Sequence, residues 1–423
     1  MQSAFTVNAF TFTFLGALVL ATATRLWLAA RQVRHVRAHR GTVPASFADA
    51  IPLPAHQKAA DYTVAKVKLG VADLSLDIVV LLALTLGGLL QLLADQWARV
   101  FALHSLWHGT ALVLSVFLLQ GAAGLPLSLY GTFVVENRFG FNKMTWRLYV
   151  LDLLKSMALS AALGIPFLLV VLWLMRAAGT LWWLYVWIAV VGYSVFLQFI
   201  GPRFIMPLFN KFSPIENPAL VERVQRLLDR CGYRSRGLYV MDGSKRSAHG
   251  NAFFSGFGAT KRIVLFDTLI ERLQPAEVEA VLAHELGHFK LRHIVKGMLM
   301  GWATTLALLF ALGFLADKPW FHAGLGVETP SLAIALLLFL LVTPAFLYFV
   351  QPIAKLFSRK NEFEADEFAT RHANAEDLVH ALVKLYRDNA STLTPDPIHS
   401  AFYDSHPPAA TRIARLRAAP EPT

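Results

Sequence analysis

The chain has 423 residues, 56% of them hydrophobic and only 16% charged, with a mean hydropathy of +0.49. That is too apolar for a soluble domain of this length and indicates a polytopic membrane protein. The formal charge of +11 is what lysine and arginine in cytoplasmic loops produce. No nucleic-acid-binding motif accompanies it, so that class of partner is excluded. The one cysteine, Cys231, rules out an intramolecular disulfide, leaves only His and carboxylate for a metal site, and is expected to be a buried, inert thiol.

No basic residue precedes the first apolar run, so a signal peptide is not expected. Spans are expected over residues 9–30, 74–94, 106–130, 148–175, 180–200, 297–316 and 332–350. Arg31, Arg34, Arg37 and Arg40 follow the first, whereas the connections on the other side carry few basic residues, such as Arg99, Arg176 and Lys318. The bias puts the N-terminus outside and the C-terminus in the cytoplasm. Four parts follow: residues 1–200 with five spans, 201–296 as a longer and more polar region, 297–350 with two spans, and a polar 351–423. Gly121, Gly124 and Pro126 predict a bend or interruption in the third span, and 130–146 a polar, aromatic-rich loop. His104 and His108 beside that span are expected at the interface. Asp152 and Lys155, at i and i+3, are spaced to pair. With Asp77 they sit near span ends, which counts against a transporter whose charges line a path through the membrane. Within 201–296, residues 214–230 have one apolar face and predict a helix, 238–241 and 262–266 predict strands, and the glycine-punctuated 248–256 predicts a hairpin edge.

The stretch Ala283-His284-Glu285-Leu286-Gly287-His288-Phe289 contains H-E-x-x-H. On a helix its histidines fall one turn apart on one face, where both imidazoles reach one metal ion, and Glu285 stands beside it to take a proton from water. Pro275, Glu277 and Glu279 suit the start of such a helix. A zinc site of this kind needs a third protein ligand. A third histidine six residues on, after a glycine at three, is excluded because those positions are Ile294 and Leu291. The alternative is a carboxylate from another helix. In Ser358–Ala369, Glu362 and Asp366 share a helix face. Glu362 would ligate and Asp366 would hydrogen-bond a ligand imidazole. A charged, solvated helix face is the rival reading of that segment, and Glu364 and Glu367 are taken as surface residues of this kind. His293, five residues past His288, is off the ligand face and is taken as ordinary.

These two segments, with His249–Gly256, Asp404-Ser405-His406-Pro407-Pro408 and Arg412, Glu136–Asn142 and Pro207–Phe212, resemble the type I CAAX prenyl endopeptidase family over nearly the whole chain. The resemblance implies a mainly helical protein whose seven spans form a barrel around a water-filled chamber, with a cytoplasmic zinc-metallopeptidase domain. It implies one zinc per chain held by His284, His288 and Glu362, with Glu285 as the base. Asn251 and Ala252 would hold the substrate backbone as an added strand, and His406 and Arg412 would lie near the scissile carbonyl. The implied substrates are proteins or peptides ending in a prenylated cysteine and three residues. A quality-control protease with non-prenylated substrates is the alternative. The Ala- and Arg-rich composition points to a bacterial inner membrane; in a eukaryote the endoplasmic reticulum membrane would be expected. The end, 418–423, carries no retention signal. Paired prolines after His406 would fix where its imidazole points, making it a candidate donor to an oxyanion, with Arg412 supporting it.

Overall fold

The structure is a computed structural model that describes residues 7–233, 237–255 and 262–418. Gly256 of the glycine-punctuated segment and residues 419–423 lie outside these. The membrane half opens with α1 (Ala9–Ala38), whose first amides are capped by the Asn8 side chain. It continues with α2 (Leu53–Leu84), α3 (Leu89–Ala98), α4 (Leu106–Tyr130), α5 (Trp146–Ala177), α6 (Trp182–Ile200) and the single turn α7 (Met206–Phe209). After the extramembrane region it resumes with α11 (His293–Leu315), α12 (Pro319–Ala323) and α13 (Leu332–Leu347). Five helices are long and apolar enough to cross a membrane. Two bent pairs, α2 with α3 and α13 with α14 (Gln351–His372), bring the number up to seven if each pair is one span.

Several sequence expectations change. The span expected at 74–94 is broken: α2 starts at Leu53 and bends by 52° into α3 across a turn that ends at Gly88, whose φ of 71° is left-handed. Asp77 therefore sits well inside a 32-residue helix rather than near a span's start. With Arg25 and Gln120 it lines a cavity of about 300 Å³ among α1, α2, α4 and α13. Gly121, Gly124 and Pro126 do not interrupt α4, which runs on through a π-helical stretch to Glu136, so the start of the expected 130–146 loop is helical. Asp152 and Lys155 do not pair. Arg246 takes Asp152 at 2.7 Å, and Lys155 Nζ donates to Leu208 O at 2.9 Å. His108 is buried, with its Nε2 donating to Ala94 O; only His104 is exposed.

Residues 153–158 of α5 are all exposed, more than a full turn in succession. That turn is therefore not packed against protein on any face, so α5 is not held there in a close-packed bundle. The larger membrane core lies at one end, around Phe14, Leu90, Leu112, Phe321 and Leu338, with smaller clusters at the other, such as Val36 of α1 on Ala60 and Val64 of α2. The two ends of α1 fix the relative arrangement. Asn8 Nδ2 donates to Trp320 O at one end, while Arg31 pairs with Asp396 of the extramembrane half at the other.

That half has a four-stranded sheet in the order β1 (Phe212–Pro214), β2 (Leu238–Met241), β4 (Arg262–Phe266), β3 (Ala252–Ser255). The β2–β4 pair is parallel and the outer pairs are antiparallel, leaving β3 at an edge. The helix expected at 214–230 is α8 (Pro218–Arg230). It starts late because Pro214 belongs to β1 and Asn217 supplies the N-cap. After the turn α9 (Asp267–Ile270) come α10 (Pro275–Lys290), α15 (Ala375–Asp388), α16 (Pro397–Tyr403) and α17 (Ala409–Arg417). Leu220, Leu227, Ile263, Leu265, Leu282 and Leu286 belong to the core that locks α8 and the sheet onto α10. Cys231 is buried, and burial raises its thiol pKa, as expected of an inert thiol.

Candidate metal centre

The centre is built on α10. Pro275 occupies its first turn, and Gln274 and Glu277 close a capping box, which fixes where the helix begins. One turn before its end, His284 and His288 bring their Nε2 atoms to 3.2 Å. α14 crosses beneath them. The approach depends on Gly287, where a Cβ would lie 3.0 Å from Ala365 Cα and 3.1 Å from Phe368 Cβ. This contact sets Glu362 opposite the imidazoles, with Oε1 3.3 Å from His288 Nε2 and Oε2 3.6 Å from His284 Nε2.

Among the described residues, His284, His288 and Glu362 form the one group of three donors spaced to hold a metal ion. Their separations fit. Ligands at about 2.0–2.1 Å in a tetrahedron stand roughly 3.3 Å apart. The electrostatics fit as well. Glu362 Oε2 is buried with no hydrogen-bond partner, and Arg412 Nη1 stands 3.4 Å away. Burial disfavours a charged imidazole at His284, yet Asp366 and Glu362 outweigh it and push its pKa up to about 9. The cluster draws positive charge to the position a metal would fill.

Asp366 Oδ1 accepts from His284 Nδ1–H at 2.8 Å, which turns the Nε2 side of that ring toward the centre. Arg412, reaching in from α17, clamps Asp366 through Nε at 2.8 Å and is itself buried. Arg412 was expected to support His406; its partners are Asp366 and Glu362. His406 stands on the open side, its side chain 60% exposed, with Nε2 3.4 Å from Glu362 Oε1 and Nδ1 bonded to Ser405 Oγ. Glu285 has no side-chain hydrogen bond or ion pair among the described residues, and burial raises its carboxyl above the usual carboxylate range.

Asn251 and Ala252 lie at the start of the edge strand β3. Phe266 N–H donates to Asn251 O, which makes that an inward-bonded position and turns the Ala252 amide outward; there the Asn251 side chain accepts its N–H at 2.8 Å. Two sequence expectations fail nearby. His293 is not an ordinary residue but lies against His288, and Glu364 is not merely a surface charge but bonds His293. The ligand spacing had no position for either. The clamp on His249 was also not foreseen. Its ring stacks on Phe141 at 4.4 Å, with Nδ1 3.3 Å from Asn389 Oδ1 and Nε2 3.6 Å from Glu136 Oε2. The signal was present, since Glu136–Asn142 and His249–Gly256 are two of the segments that carry the family resemblance.

Residues 32–211 match the family model described as CAAX prenyl protease N-terminal, five membrane helices, and residues 214–419 match the model of peptidase family M48. The chain belongs to family M48. Among M48 relatives, a CAAX prenyl protease 1 homolog of Arabidopsis thaliana is 36% identical over 318 residues, 74% of each chain. The CAAX prenyl protease 1 of Saccharomyces cerevisiae is 38% identical over 312 residues, 69% of this chain and 68% of its own. A human homolog is 30% identical over 353 residues, 74% of each. The crystal structure of S. mikatae Ste24p superposes with a TM-score of 0.89 at 28% identity, covering 97% of this chain and 99% of that one. This M48 member is thus a multi-pass membrane metalloendopeptidase of the Ste24p fold.

Proposed function

We propose that this M48 peptidase binds one zinc ion and cuts the C-terminal residues from prenylated CAAX-type proteins or peptides, with its active site on the cytoplasmic side of a bacterial inner membrane. The observation that carries the reading is the triangle of His284, His288 and Glu362, with Glu285 beside it and without a hydrogen-bond partner among the described residues. The substrate class comes from the relatives named CAAX prenyl proteases.

Bound zinc would polarise the scissile carbonyl and acidify a water molecule. The chain's own residues do the rest. The substrate backbone adds to β3 at Asn251 and Ala252, displacing the Asn251 side chain from the outward amide. Glu285 accepts the proton of the attacking water and returns it to the leaving amine. Asp366 holds His284 in one tautomer, and Arg412 holds Asp366. His406, on the open side, donates to the oxygen that gains charge as the carbonyl is attacked.

The test is cleavage by the purified protein of a prenylated peptide ending in a CAAX sequence, beside the same peptide without the lipid. Preference for the prenylated form supports the proposal. Equal cleavage of both favours a quality-control protease, and cleavage of neither by metal-loaded protein contradicts both.

A further inference from the structure

α10 ends at Lys290 and α11 begins only three residues later, at His293. Between them Arg292 adopts φ 58°, ψ 32°, a left-handed conformation unusual for a residue with a side chain. The tight turn folds His293 back onto the helix it has just left. His293 Nδ1 lies 3.0 Å from His288 Nδ1, with the ring centroids 5.1 Å apart at 74°. On its far side His293 Nε2 lies 2.9 Å from Glu364 Oε2, on α14 two residues beyond Glu362. His293 is only 5% exposed. Lys360 stands 3.8 Å from the other oxygen of Glu364.

The hydrogens on these rings follow from what each atom can do. A carboxylate only accepts, so His293 Nε2 carries the hydrogen and donates to Glu364. The neutral ring then presents a lone pair at Nδ1. Two facing Nδ1 atoms bond only when one of them carries a hydrogen, so His288 Nδ1–H donates to His293. The lone pair of His288 is left on Nε2, the atom that faces His284 and Glu362. Asp366 achieves the same result for His284 in a single contact.

We propose that His293 and Glu364 form a carboxylate–imidazole prop that fixes the tautomer and ring orientation of His288 and so slows loss of the metal. His293 is a positioning residue. The inference rests on His284, His288 and Glu362 being the metal ligands, and it requires no change in the charge of His293. The site then has two props of unequal kind. One is a buried aspartate locked by Arg412; the other is a glutamate whose side chain is one third exposed and acts through a second ring.

The test is the rate at which zinc-loaded, full-length protein releases its metal to an excess of a chromophoric chelator, with the melting temperature of the metal-free protein as a folding control. His293→Leu fills the space but cannot accept a hydrogen bond, and should release zinc roughly 10–100-fold faster, the usual loss for such a partner. His293→Gln offers an amide oxygen to His288 Nδ1–H and should recover most of that loss. Glu364→Ala should also speed release, whereas Glu364→Gln, which still accepts from His293 Nε2–H, should not. Release at the wild-type rate from His293→Leu, or equal rates from the Leu and Gln variants, overturns the prop. If His293→Leu does not fold, the two Glu364 variants decide in the same way, and equal rates from them overturn it. Wild-type protein that takes up no zinc would overturn the ligand reading as well. Zinc-loaded wild type with unaffected variants overturns the prop alone.

Discussion

Glu285 and His406 flank the same three donors but answer to different tests. Glu285 is half-buried and has no hydrogen-bond or ion-pair partner among the described residues, so Glu285→Gln removes the base without breaking a contact among them. The variant should retain its metal and its melting temperature while kcat falls by about 10²–10⁴; turnover near wild type would sink that role. His406 is mostly exposed and touches Glu362 from the open side. His406→Ala should keep the metal and lower kcat by about 10²–10³ with little change in KM, because the contact belongs to the transition state. Loss of metal would instead make it a ligand or a support for one. At this scale much was legible in the sequence. The i, i+4 spacing of His284 and His288, and again of Glu362 and Asp366, is a statement about helix faces. What spacing along one helix cannot express is a residue returned to that helix by a turn. His293 is off the ligand face of an ideal continuing helix, and only the left-handed Arg292 brings it back.

Among the elements, the crossing of α10 on α14 decides whether the centre exists, because the histidines come from one helix and the carboxylates from the other. Gly287 lies at that crossing, and the atoms a Cβ would meet include the Ala365 backbone, which cannot swing aside. Gly287→Ala should therefore separate the helices, cost about 1–3 kcal/mol as overpacking does, and lower metal occupancy in the purified protein. A variant with full occupancy and unchanged melting would show that the crossing tolerates a wider gap. The elements themselves were read unevenly. α10 followed from capping and helical spacing, the edge position of β3 from the glycine-punctuated 248–256, and most of the spans from the length of their apolar runs. The break between α2 and α3 did not, since Thr85-Leu86-Gly87-Gly88 continues an apolar run and hydropathy does not register a change of direction. The charges at the start of α5 were misassigned for a related reason. Asp152 has a closer partner in Arg246, 94 residues away, and local spacing gives no hint of it.

Across the whole molecule, the membrane half and the peptidase half meet at one end. Arg31–Asp396 and Asp152–Arg246 tie spans to the catalytic half, and the larger membrane core lies around the turns at the other end. Arg31, Arg34, Arg37 and Arg40 lie at the peptidase end of α1, and the proposed cytoplasmic placement of that half rests on this positive-inside bias. Reporter fusions should find the C-terminus inside and residue 8 outside; a C-terminal reporter active only on the outer side would refute the orientation. The chamber is an expectation of family resemblance alone, since an apolar helix reads the same whether it faces lipid or a chamber. The most direct test of the central claim is mass spectrometry of a prenylated CAAX peptide incubated with the purified protein, before and after removal of its metal. The account predicts release of the last three residues, loss of that product on chelation, and its return when zinc is added back. Cleavage that persists in the metal-free protein would contradict it.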